Sequence, residues 1–503
     1  MVKKYIESFR DRGLDESKVY IAIELNKKRK ELQKILDEKR AIKNKLSKIY
    51  GILQAFKHNK IDKESLEKEL NKFGLKYKEG IEKEITKKIE EIDKEIENVE
   101  KEYNKVLDEF IRFTWTFPNI LHPDVPKGDD KYNKPLYYWG VVRVIDENAF
   151  QKEVSQDGKY NWKIIELSNI PEKYIKDKEK LRELYKILKG EEDFYYINYD
   201  DVLDFDLLNK DGLVPYVKID WEPLHHYDLI DKFKLAETSK ASEVSGSRFY
   251  FEFDIFALLD LALSLEGLKF LEKRGYKITI TPYLLRKHVL DGIITLDDYE
   301  DMMYKIENED LYLIGTAEHS ITALYYDSII EEKDLPIKMA GWSACFRKEA
   351  GAHGKDTKGL FRVHQFHKVE QYIFCKPEDS ERYHEELIQN QMDFFKLLNI
   401  PHRKILIASK DMGKRNYKQY DVEGWFPGQQ KYRELGSGSN VTDWQARRCN
   451  IRYRTKNNEL EFVHTLNCTL VAVQRTLLCL LENNYDRKNI KLFIPEILTK
   501  YFK

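Results

Sequence analysis

The sequence predicts an α+β protein: an N-terminal antiparallel α-helical coiled-coil hairpin, then a larger domain on a mostly antiparallel β-sheet flanked by helices. Three observations carry this reading. Two long runs step their apolar residues by three and four, on either side of a polar stretch that contains glycine. From His225 onward, strand-like and helix-like segments mix without regular βαβ alternation. The chain has 503 residues, too many for one ordinary core.

In the first run, Ile35, Ile42, Ile49 and Phe56 repeat every seven residues, and Leu25, Leu32, Leu46 and Leu53 fill a companion register broken at Lys39. In the second, Ile85, Ile89, Ile92, Ile96, Val99, Tyr103, Val106 and Phe110 make the seam. HNKIDKESLEKELNKFGLKYKEG lies between them, with Gly74 and Gly80, and can reverse the chain. The coiled coil is expected at about 26–110, inside an N-terminal unit of 1–112. Residues 27–48 hold ten basic and three acidic side chains, and residues 81–109 hold six basic and eleven acidic. Mutual neutralisation of paired arms and a phosphate-binding face on the first arm both fit that pattern.

FPNILHPDVPKGDDKYNKP carries four prolines and reads as a linker into a second domain, 113–503. Within it, residues about 141–224 are polar, strand-like at DFYYINYDD and helical at KDKEKLRELYKILKG, without recognisable chemistry. FYFEFDIFALLDLALSLEGLKFLEKRGYKITITP then predicts strand, helix and strand, with Gly275 ending the helix and Pro282 closing the strand.

FRKEAGAHGKDTKGLFRVHQFHKVEQ, residues 346–371, concentrates the chemistry. Strand alternation puts Arg362, His364, Phe366, Lys368 and Glu370 on one face, with Phe361, Val363, Val369 and Ile373 on the other. Arg347 and Glu349 share a face on the preceding strand, and AGAHGKDTKG makes a glycine-rich loop suited to anions. A solvated face with weak surface ion pairs would account for the charges. It would not account for Phe366 among them, which suits stacking on a flat ligand. Arg347 suits two-pronged binding of phosphate or carboxylate oxygens. Ring, phosphate and amine together point to a nucleotide and an amino compound.

The five cysteines, Cys345, Cys375, Cys449, Cys468 and Cys479, include no CxxC pair, which argues against a disulfide framework and a zinc ribbon. The start, MVKKYIESFRDRGLDE, lacks an apolar signal core, and Asp254 and Asp260 interrupt the most apolar stretch. A cytoplasmic protein with no membrane partner is the expectation. The formal charge of −1 balances large opposing totals and says little about partners.

Residues 346–371 closely resemble motif 2 of seryl-tRNA synthetases, a class II aminoacyl-tRNA synthetase family. Other segments agree in order. GYKITITP resembles motif 1; LIGTAEHSITALYYD carries the TxE element; RELGSGSNVTDWQARRCNIRYR resembles the metal-binding strand; HTLNCTLVAVQRTLLCLLEN resembles motif 3. The likeness is nearest to the eukaryotic cytosolic type. It implies that 113–503 is a class II catalytic domain with an atypical insertion at about 141–224, and that the hairpin binds tRNA.

The resemblance also implies roles. Arg347, Lys348, Glu349, Val363, His364, Gln365, Phe366, Glu434, Leu435, Gly436, Ser437 and Arg475 would bind ATP. Phe366 would stack on adenine and Glu349 would face its amino group. Arg347, Glu349 and Arg475 would be the catalytic set. Glu434 and Ser437 would hold Mg²⁺ with ATP. Thr316, Ala317, Glu318, Arg347, Glu370, Asn467 and Thr469 would surround L-serine. Partners would be L-serine, ATP, serine tRNA through the hairpin, and a second copy of the chain in a homodimer. The cysteine ligands of the zinc-dependent archaeal variant have no counterpart, so no structural zinc is expected. From the residues alone, Asn467 could also cap a helix starting near Thr469, and Glu370 could pair with Lys368 or a nearby arginine. A non-catalytic RNA-binding relative and a coiled-coil scaffold are the competing functions, the latter leaving the polar sheet face unexplained.

Overall fold

The structure, a computed structural model, describes residues 1–295, 300–349 and 358–502. The chain divides into two compact units, Met1–Arg10 with Leu14–Phe117 and Asp11–Gly13 with Pro118–Lys503.

The arms of the first unit are the helices Ser17–Lys57 and Ile81–Trp115. The second arm buries Ile85 and Val106 and half-buries Ile89, Ile92, Ile96, Val99, Tyr103 and Phe110, the seam its spacing predicts. The first arm follows a different register. Leu32, Leu36, Ile49 and Leu53 are buried, whereas Ile35 and Ile42 are 40% and 49% exposed. The Leu25–Leu32–Lys39–Leu46–Leu53 row is one line of the seam. The other runs through Ala22, Arg29, Leu36 and Lys43 instead of Ile35 and Ile42, and the predicted row is met again at buried Ile49 and half-buried Phe56. Lys39 and Lys43 fit there because Glu95 and Asp93 on the facing arm lie 2.6 and 2.5 Å from their ammonium groups, while their stems cover apolar surface. The tip is more than a reversal. It folds as a third helix, Lys63–Asn71, capped by Asp62 and seated by the fully buried Leu66 and Leu70.

Lys28–Glu102, Lys39–Glu95, Arg40–Glu100, Lys43–Asp93 and Lys57–Glu82 pair across the arms, so neutralisation accounts for part of the basic surplus. Lys27, Lys30, Lys45 and Lys48 are exposed. At roughly 100° per residue they fall on one stripe of the helix, away from the seam.

The second unit is organised by eight strands: β1 Lys134–Trp139, β2 Lys277–Ile280, β3 Ile337–Phe346, β4 Gln365–Cys375, β5 His402–Leu406, β6 Lys418–Phe426, β7 Lys431–Thr442 and β8 His464–Ala472. Their spatial order is β1-β5-β6-β7-β8-β4-β3-β2, antiparallel throughout except β2 against β3. The helices Asp254–Glu272, Ser380–Leu397 and Val473–Asn483 bury Leu263, Leu387 and Leu477 with Val369, Ile373, Leu466 and Leu470 of the sheet in one core. Gly341 on β3 lets the helix Ala317–Leu324 approach. A Cβ there would stand 2.7 Å from Ile321 Cδ1 and 2.9 Å from Ala317 Cβ.

The strands around residues 346–371 are shorter than alternation predicts. The β3–β4 ladder ends at Phe346–Gln365, so Arg347, Glu349, Arg362 and His364 flank the strands. Leu360, Phe361 and Val363 all enter the same core, which two adjacent residues of a period-2 strand cannot do. Glu349 takes a φ of +50°, in the left-handed region. Of the loop read as anion-seeking, residues 350–357 lie outside the described residues. Asn467 is no helix cap: β8 continues to Ala472, and the helix starts at Val473.

Residues 142–218 contain a three-stranded parallel sheet, Val142–Val144, Leu213–Lys218 and Lys163–Glu166 in spatial order. The helix expected at KDKEKLRELYKILKG spans Lys178–Lys189. DFYYINYDD forms no strand. Its aromatics pack against the C-terminal segment, with the Tyr196 hydroxyl donating to the Phe493 carbonyl at 3.1 Å and the Phe194 ring 5.0 Å from that of Phe493. Buried Arg143 donates to the carbonyls of Glu482 and Asn483, at 2.9 and 2.7 Å. It thereby satisfies the C-terminal end of the helix Val473–Asn483.

Candidate active site

Side chains from distant parts of the sequence meet in one cleft over the sheet, of about 590 Å³. Phe366 and Lys368 come from β4, Glu434 and Ser437 from β7, and Thr469 from β8. Arg347 and Glu349 follow β3, and Arg475 stands in the first turn of the helix Val473–Asn483. Val363, Leu435 and Gly436 complete that wall. A second lobe, lined by Thr316, His319, Arg415 and Asn467, shares Arg347 and Ser437 with the first.

Two bulges aim these residues. Val422 faces Gly436 and Glu423 faces Glu434, leaving Leu435 unopposed in the ladder. Positions three apart on a regular strand point to opposite faces. The extra residue brings Glu434 and Ser437 to the same one. A second shift sets Val369 opposite Val471 and Glu370 opposite Thr469, leaving Leu470 unopposed.

The Arg347 guanidinium lies 5.2 Å from the Phe366 ring centre, and its Nε donates to the Gly315 carbonyl at 3.2 Å. Arg475 Nη1 lies 3.0 Å from Glu434 Oε2, and its guanidinium sits 4.9 Å from the Phe361 ring. Enclosure works to raise the Glu434 carboxyl; Arg475, helped by Arg347 and Arg362, more than offsets it and holds it below the usual carboxylate range. Glu434 is therefore an anionic oxygen donor at neutral pH. Its carboxylate and the Ser437 hydroxyl are hard oxygen donors on one face. They fit a Mg²⁺ shared with phosphate oxygens. Among the described residues, no group of three or more His, Cys, Asp or Glu is placed to hold a metal.

Glu370 is fully buried. Asn467 Nδ2 donates to its Oε1 at 3.2 Å, and the hydroxyls of Thr316 and Thr469 donate to its Oε2 at 3.3 and 3.4 Å. Lys368 Nζ lies 2.6 Å from the same Oε2, so the ion pair considered from the sequence is present. Thr316 also caps the helix Ala317–Leu324.

Six of the expected residues do not line either lobe; Glu370 is one, enclosed behind Thr316, Asn467 and Thr469, which do line them. His364 Nδ1–H donates to the Arg347 carbonyl at 2.9 Å and its ring packs on Phe249. Gln365 is exposed. Lys348 extends over the Tyr304 ring, at 5.8 Å. Ala317 is buried beside Gly341. Glu318 receives Arg415 at 2.6 Å and Gln445 at 2.8 Å, so it acts on the second lobe through Arg415. Arg362, Lys368 and Arg415 line the lobes without having been singled out as site residues. Lys368 could have been found, since it lies between Phe366 and Glu370 on one strand face. Arg415 carries no sequence signal; only folding brings it to Glu318.

This sheet, with a cleft bordered by arginines and an aromatic ring, defines a class II aminoacyl-tRNA synthetase core. Residues 302–484 match the family model described as tRNA synthetase class II core domain (G, H, P, S and T). The chain is 39% identical over 495 residues to a serine–tRNA ligase of Saccharolobus islandicus, covering 98% of this chain and 91% of that one. It therefore belongs to the serine–tRNA ligase family. Among solved structures, the seryl-tRNA synthetase of Pyrococcus horikoshii complexed with ATP matches with a TM-score of 0.79 and 34% identity, over 99% of this chain and 96% of that one. The cytoplasmic serine–tRNA ligase of Naegleria fowleri in complex with AMP matches with a TM-score of 0.69 and 29% identity, over 99% and 94%.

Proposed function

We propose that the cleft joins L-serine to ATP and passes the product to tRNA, the serine–tRNA ligase reaction. The observation that carries this is one cavity holding an aromatic platform, Phe366, between guanidinium groups, and sharing Arg347 with a lobe around Thr316 and Asn467. The serine carboxylate attacks the α-phosphorus and pyrophosphate leaves. A hydroxyl of the terminal tRNA ribose then attacks the seryl carbonyl and AMP leaves. Neither step needs a protein nucleophile; the work is positioning and charge stabilisation.

Phe366 stacks on the base, with Glu349 toward its amino group. Arg347 bridges the α-phosphate and the serine carboxylate, and Arg475 takes the far phosphate. Mg²⁺ held by Glu434 and Ser437 would screen phosphate charge. Glu370 receives the serine ammonium, with Thr316, Asn467 and Thr469 providing polar partners around the substrate. The working test is serine-dependent exchange of pyrophosphate into ATP, followed by charging of serine tRNA. Absence of exchange with serine, ATP and Mg²⁺ present would favour the non-catalytic relative.

The N-terminal unit, 1–112 by sequence, is proposed to bind tRNA through the stripe of Lys27, Lys30, Lys45 and Lys48. Changing all four to alanine is expected to raise the KM for tRNA about tenfold and flatten its salt dependence, since each lost phosphate contact removes roughly one unit of slope. Exchange without tRNA should stay unchanged. A drop in exchange, or an unaltered salt slope, would refute the assignment.

A homodimer is supported by β2, an edge strand whose Ile278 and Ile280 are 40% and 72% exposed, and by Leu258, Leu261 and Leu265, exposed on the helix Asp254–Glu272. In Ile280→Arg, burying an unpaired guanidinium costs roughly 3–5 kcal/mol, enough to weaken association about 10²–10³-fold. Sedimentation should then find monomers; an unchanged mass at every concentration would exclude this face. The eukaryotic cytosolic subtype and a cytoplasmic location are kept as proposals. The Naegleria likeness supports the first, while the curated relative above is archaeal. For the second, no described helix is long and apolar enough to cross a membrane.

A further inference from the structure

At the wall of the cleft, which Gln474 helps to line, lies a polar node that the proposed chemistry does not use. Gln474 is 2% exposed and stands immediately before Arg475. Its Oε1 accepts the backbone N–H of His367 at 2.8 Å, immediately after Phe366. Its Nε2 donates to Glu252 at 3.0 Å and also to Asp260. Asp260, itself buried, receives His367 Nδ1 at 2.8 Å. One amide therefore ties together four pieces of chain: the strand Phe251–Glu252, the helix Asp254–Glu272, β4 at the stacking ring, and the helix that carries the phosphate-side arginine.

We propose that Gln474 is a positioning residue that fixes the spacing between Phe366 and Arg475, so that a nucleotide is held at its base and its terminal phosphate at once. This rests on the roles given above to Phe366 and Arg475. The side chain suits the task because both its ends are engaged. Its carbonyl grips the β4 backbone, while two carboxyl groups hold its NH₂, so the amide cannot rotate without losing bonds in a buried site. Arg475 is additionally held to Glu434 and to the Phe361 carbonyl. The backbone leading to Arg475 is tied to β4 by the Lys368–Ala472 pairing, so Gln474 adds the side-chain link between the two.

The test is calorimetric binding of ATP and of AMP to the full chain and to Gln474→Met, which keeps the length and removes the amide. AMP lacks the phosphates that Arg475 would meet, so its affinity should stay within about twofold, while that for ATP falls about tenfold, the scale expected of a small misplacement. Asp260→Asn, which keeps the shape and weakens one anchor, is expected to lose ATP affinity in the same selective sense by about threefold. Equal losses for both nucleotides in either variant, or no loss in both, overturn the proposal. Failure of the unaltered chain to bind either nucleotide would instead refute the nucleotide-site reading itself.

Discussion

Replacing Arg347 by alanine is expected to lower serine-dependent ATP–pyrophosphate exchange by about 10²–10³-fold, the usual effect of removing one preorganised donor from developing charge. Arg347 alone among the arginines lines both lobes. Its orientation is set by the Phe366 ring and by the Gly315 carbonyl, so the guanidinium is in place before substrates arrive. Among the described residues Arg347 has no ion-pair partner to orphan, and the thermal unfolding midpoint should barely move. Arg347→Lys keeps the charge and loses the two-pronged geometry, and should recover only part of the rate. Stopped-flow exchange kinetics with both substrates varied would decide the matter. A loss below about fivefold in Arg347→Ala is too small for a residue bridging two reactants.

The second large effect concerns Glu370. Its removal leaves the Lys368 ammonium, 6% exposed, without its 2.6 Å partner. An uncompensated buried charge costs roughly 3–5 kcal/mol, so Glu370→Ala should unfold at a clearly lower temperature and lose serine activation. Those two losses have separable causes. In Glu370→Gln with Lys368→Met, both charges are gone and no buried ion is left unpaired. Stability should largely return, while the KM for serine remains raised by about 10²-fold, because buried polar groups that should meet the substrate are still mismatched. Thermal unfolding and exchange kinetics on the same preparations read both. Recovery of serine affinity in the double variant would reduce Glu370 to a structural ion pair.

Much of this architecture was legible in the chain. The second arm could be read because Ile85 to Phe110 keep a strict three-and-four step that only one helix face can bury. The first arm could not. Its isoleucine row is as regular as its leucine row, and the choice between them depends on which lysines find carboxylates on the facing helix. Lys39 and Lys43 find Glu95 and Asp93, so charged residues occupy seam positions while Ile35 and Ile42 are left exposed.

The cleft divides in the same way. Phe366, Lys368 and Glu370 share a face because a strand alternates, a rule that needs nothing beyond the local sequence. Arg347, Glu349, Arg362 and His364 depart from it. Adjacent Leu360 and Phe361 both enter the core, and a strand cannot continue through such a pair. The pairing of Glu434 with Ser437 depends on an unopposed Leu435, and that of Glu370 with Thr469 on an unopposed Leu470. A bulge is a property of two strands in register, so neither chain segment encodes it alone.

By itself the sequence determined the residue types, the hairpin, the strand faces and the family resemblance, since each follows from local periodicity or from a short contiguous pattern. Only the tertiary structure decided the seam register, the two bulges, the Arg415–Glu318 contact and the Gln474 node. Those depend on which residues far apart in the chain are brought within hydrogen-bonding distance. That outcome is fixed by burial of the whole core, which no single segment specifies.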